Sequence, residues 1–113
     1  MRQAILAALV LFRLTSLARA QTVYEFVSTC RADDLGACFT QIEDHLDRLK
    51  TVEQGLSFCL PRAWGATMYE SVGYPVSVLD HVRLGLSAAR FGNAGRPADD
   101  VIKDIIGKVY PCN

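Results

Sequence analysis

No cysteine pair in this sequence has the close spacing of a zinc site, no glycine-rich loop is present to cradle a phosphate, and no G-x-S-x-G turn carries a nucleophilic serine. Each absence closes a function class. The only histidines, His45 and His81, fall on different predicted helices and make a weak case for acid–base or metal chemistry. Lysine plus arginine (12) balances aspartate plus glutamate (12), and no basic patch stands out, which argues against a nucleic-acid partner. There is no internal repeat and no low-complexity tract. Binding, not catalysis, is therefore the expected mode of action, with no cofactor and no metal.

What is present begins with a leader. Met1-Arg2-Gln3 is a short positive region, Ala4 to Phe12 an uninterrupted apolar run, and Ala18-Arg19-Ala20 a small-x-small cleavage site. Together they read as a secretory signal peptide over residues 1–20. The apolar run is about half of the ~20 residues a membrane span needs, so no span is expected after cleavage. No cysteine follows Ala20 to carry a lipid. The leader removes Arg2, Arg13 and Arg19, leaving a single, mildly acidic domain over residues 21–113 in a periplasmic or secreted setting.

All four cysteines, Cys30, Cys38, Cys59 and Cys112, fall in that domain. An even count in a small exported chain reads as a disulfide framework, because a core this limited gains from covalent help. Sequence alone does not choose among the connectivities. The preferred pairing is Cys30–Cys38 with Cys59–Cys112, since the first two lie close enough to bridge consecutive helices.

Apolar periodicity predicts an all-α bundle of four main helices. Val23, Phe26, Val27 and Cys30 form one stripe between Thr22 and Arg31, with Thr22 and Glu25 as a capping box. Asp33 or Asp34 caps a second helix to about Thr51, whose stripe is Leu35, Cys38, Phe39, Ile42, Leu46 and Leu49. Its polar face carries Glu43, Asp44 and Asp47, with Asp44–Arg48 as an i,i+4 pair. His45, at the stripe's edge, is expected to be a rim histidine with a solvated ring. Gly55 stops the helix in a turn, and Ser57 to Pro61 is extended, entering the core at Cys59. From Arg62 to Gly73, Trp64, Met68 and Tyr69 cluster with Tyr74 beyond, and the reading is a short helix whose aromatics plug the core; the alternative is a loop that presents aromatics to a partner.

A third helix opens at Pro75 or Ser77 and runs to about Phe91. Val78, Leu79, Val82, Leu86 and Ala89 point inward, with His81, Arg83 and Arg90 outside. Pro97 begins a fourth helix at its first position, Asp99-Asp100 complement its dipole, and Val101, Ile102, Ile105, Ile106 and Val109 make its core stripe.

A helix ending at Ser28-Thr29-Cys30-Arg31-Ala32-Asp33, a second cysteine opening a long helix, Phe58-Cys59-Leu60-Pro61, two more helices and a closing Tyr110-Pro111-Cys112 form an ordered plan. This plan resembles the Rap/Tai family of periplasmic immunity proteins of type VI secretion, over residues 22–113. The resemblance implies an all-helical periplasmic domain, often a homodimer, that inhibits a cell-wall amidase effector by occluding its active site. No contact residue carries over individually. On the residues themselves, Glu43, Asp44 and Asp47 with the loop around Trp64 are the expected contact surface: acidic charge steers a basic enzyme and a tryptophan anchors in its cleft. The bland reading is that the acids are solvated and Trp64 is core. The competing classes are a periplasmic acid-stress chaperone of the Hde type, though such chaperones typically have one disulfide and lysine-rich tails, and an exported helical domain with some other partner.

Overall fold

The computed structural model of the chain describes residues 21–61 and 73–113. The expected leader, residues 1–20, and the aromatic segment 62–72, Trp64 included, lie outside the described residues. Within them the chain forms four helices: α1 (Val23–Thr29), α2 (Leu35–Glu53), α3 (Val76–Ala89) and α4 (Ala98–Val109). There is no strand among the described residues, only two isolated bridges, Thr22 with Pro97 and Gln54 with Phe58.

The helix starts follow local chemistry. The Glu25 amide donates to Thr22 Oγ1 at 3.2 Å while the Thr22 amide donates to Glu25 Oε1 at 3.2 Å, so two otherwise orphaned donors are satisfied reciprocally. Asp34, not Asp33, caps α2, accepting from the Ala37 amide at 3.2 Å. Asp33 instead pairs with Arg31 at 3.2 Å. Pro97 sits one residue earlier than expected, as the cap of α4, where its missing N–H leaves no bond unmade. α1 stops at Thr29, two residues short of the expected end, and α2 runs on to Glu53. Gly55 then turns the chain with φ +86°, a conformation that glycine adopts without strain.

The core lies where α2, α3 and α4 meet, with α1 laid against α3 and α4. Phe26, Ile42, Leu46, Phe58, Val82, Leu86, Ile102 and Ile106 are its fully buried centre. Three expected inward residues are not inward. Val109 is 45% exposed, because α4 outruns the core in its last turn. Leu35 lies at the exposed start of α2. Cys59 is only half-buried, and Phe58 (0% exposed) enters the core with Leu60, as alternation along an extended segment dictates. That segment is held by Gln54, whose amide accepts from the Leu60 N–H and donates to the Leu60 carbonyl, both at 3.1 Å, as a second strand would.

Both disulfides form with the preferred pairing, Cys30–Cys38 and Cys59–Cys112. The first joins the end of α1 to the buried face of α2, with the Thr29 hydroxyl donating to Gln41 Oε1 beside it at 2.9 Å. The second ties the chain after α4 to the Phe58 segment, where the Cys59 amide also donates to the Tyr110 carbonyl at 2.8 Å. Gly107 makes this approach possible: a Cβ there would stand 2.9 Å from the Ser57 carbonyl oxygen.

Candidate functional site

The three carboxylates of the expected contact face all lie on α2, but they do not act as one group. Glu43, Asp47 and Lys50 recur at i, i+4 and i+7 and share one side of the helix, so they meet the returning chain at Gly73–Tyr74. The Tyr74 hydroxyl donates to Asp47 Oδ1 at 2.8 Å. The Lys50 ammonium lies 5.7 Å from the Tyr74 ring centroid. Gly73, with φ +69°, lets the backbone pass Glu43: a Cβ there would stand 2.7 Å from Glu43 Oε2. Asp44 stands apart on the exposed side.

Tyr74 is 7% exposed. Burial pushes its phenol well above the ordinary tyrosine value, and the bond to Asp47 with the charges of Asp47 and Glu43 pushes it further. The hydroxyl therefore stays a donor to Asp47, and Lys50, on the same side of the helix, lines a concavity of about 430 Å³ with Gln54, Leu60 and Pro61. This face combines exposed carboxylates, one cation, a fixed phenol and an apolar floor.

A second constellation was not expected. His45 is buried (5% exposed), not a solvated rim residue. Its Nε2 lies 2.5 Å from Gln21 Oε1, and its Nδ1 meets Asp99 Oδ1 in a short contact. Both ring nitrogens are thus engaged by side chains from outside α2. The ring also packs edge-on against Phe26, with centroids 6.1 Å apart. Arg48 lies 2.8 Å from Nδ1 and donates to Asp99 Oδ1 at 3.2 Å. It thus pairs with Asp99 and not, as expected, with the Asp44 carboxylate; it reaches only the Asp44 backbone carbonyl, at 3.4 Å. Burial pushes the Asp99 carboxyl up, but the bond and charge of His45, followed by Arg48, outweigh it and hold the group below the ordinary aspartate value. The cluster joins the chain before α1, α2 and the start of α4.

His81 is exposed, as expected, and borders an apolar groove of about 290 Å³ with Ser77, Val78, Ile106, Val109 and Tyr110. Among the described residues no group of three or more His, Cys, Asp or Glu is placed to hold a metal ion, and no helix is long and apolar enough to cross a membrane. All four cysteines are in disulfides. The chain matches no family model, no curated protein and no solved structure.

Proposed function

We propose that the domain acts by binding, and that its partner is a basic cell-wall amidase in the compartment to which the leader directs it. The observation that carries this reading is the acidic α2: Glu43 and Asp47 gathered around the fixed Tyr74 hydroxyl, and Asp44 on the exposed side of the same helix. Clustered acidic charge on a rigid helix steers a cationic partner and raises its rate of encounter. The order of cysteines and proline flanks shared with Rap/Tai immunity proteins points the same way. Occlusion needs no turnover, in keeping with a surface that offers recognition groups only.

The test is co-expression with exported amidase effectors in a sensitive strain, with and without residues 1–20. Protection is expected only with the leader, because the disulfides form in an oxidising compartment and the target is there. Charge reversal of Glu43, Asp44 and Asp47 together is expected to abolish protection while leaving the helical spectrum unchanged. If no amidase is neutralised and the protein instead suppresses aggregation of unfolded clients at low pH, the chaperone reading replaces this one.

A further inference from the structure

Gln21 directly follows the triplet Ala18-Arg19-Ala20, and in the fold its side chain is already committed. Its Oε1 lies 2.5 Å from Nε2 of His45. Its backbone carbonyl accepts from the Ala98 amide at 2.8 Å, and the next turn is tied down by Val23 N–H to the Arg96 carbonyl (2.9 Å) and Tyr24 N–H to the Ala94 carbonyl (3.0 Å). A glutamine exposed as a new N-terminus faces a specific chemical fate. Its α-amino nitrogen attacks its own Cδ, an N–Cδ bond forms, the Cδ–Nε2 bond breaks, and ammonia departs with a proton from the attacking nitrogen. The product is pyroglutamate, and no oxidant or second reactant is needed.

We propose that Gln21 is a modification site gated by the fold, with His45 holding its side chain away from its own amine and so preserving a free N-terminal glutamine after processing. The inference rests on cleavage after Ala20. Cyclisation requires the side chain to curl back into a five-membered ring, and the clamp opposes this. His45 is buried and cannot follow the amide outward, because Asp99 and Phe26 fix its ring from the other side. The side chain must therefore leave its contact with a buried, fixed ring before it can react.

The experiment is to export the full chain, purify the processed protein, and follow loss of ammonia from its N-terminal peptide by mass spectrometry at neutral pH. Folded protein is expected to cyclise about fivefold more slowly than the same protein in urea, the factor one net hydrogen bond supplies. His45→Ala should remove the difference, and Asp99→Asn, which loosens the ring without emptying the site, should reduce it. Should His45→Ala fail to fold, the urea comparison and Asp99→Asn decide. Equal rates in folded and unfolded protein, or an N-terminus already fully cyclised on purification, overturn the proposal. An intact mass that places the N-terminus elsewhere than Gln21 overturns it too, and identifies the processing step as the fault.

Discussion

At the scale of the residue, His45 sits where the sequence offered no reason to place a polar core. Its partners Gln21 and Asp99 lie 24 and 54 positions away, and no periodicity reaches that far. Replacing it with alanine empties a buried site and removes the ring that joins Gln21 to Asp99, which keeps its bond to Arg48. His45→Ala is expected to lower stability by roughly 1–3 kcal/mol, read as a fall in the urea midpoint at unchanged slope. Asp99 gives the site a pH signature. Its folded pKa is depressed, so its stabilisation is present above the ordinary value of 3.8 and is lost as pH falls through the lowered one. Stability measured against pH should show this acid limb, and Asp99→Asn should flatten it. Tyr74 has the opposite sign: its raised phenol favours the folded state until pH climbs past the ordinary value of 10.0. Tyr74→Phe should lessen that alkaline loss and cost about 1 kcal/mol at neutral pH through the bond to Asp47.

Among the elements, what sequence reasoning recovered was local. The Thr22–Glu25 capping box spans one turn, and all four helices are visible as apolar stripes because each buries one face. Thr22→Ala should remove half of that box and cost about 1 kcal/mol, seen in the thermal midpoint. Less legible was whatever depends on where another element ends. Val109 continues α4's stripe yet is exposed, and Arg48 turns from a neighbour one helical turn away to Asp99 on α4. The acidic face was legible as three carboxylates; the meeting of Glu43 and Asp47 with Gly73 and Tyr74 was not, since that is a contact between residues distant in sequence. Gly107 is a test of packing between elements. A methyl group there meets the backbone carbonyl of Ser57, which cannot swing aside as a side chain can, so Gly107→Ala should cost about 1–3 kcal/mol despite its better helix propensity. A stabilised Gly107→Ala protein would show that the 57–61 segment yields instead.

For the whole molecule, the two disulfides differ in reach. Cys59–Cys112 closes a separation of 53 positions and Cys30–Cys38 one of 8. Chain entropy assigns them about 4 and about 2.5 kcal/mol respectively. The Cys59/Cys112 double alanine variant should therefore lose more stability than the Cys30/Cys38 one, by a margin visible in paired urea titrations. Equal losses would mean that local packing around Cys38, fully buried, matters as much as loop length. The pairing also has a consequence in time. Were the chain exported N-terminus first, as the proposed function requires, its thiols would reach the oxidising side in the order 30, 38, 59, 112, and the bonds join the first to the second and the third to the fourth. An oxidant that simply links each new thiol to the one still waiting reaches the correct covalent structure on its first pass. Reshuffling by an isomerase is then unnecessary, and the longer of the two exposures falls on Cys59, which waits 53 positions for its partner where Cys30 waits 8.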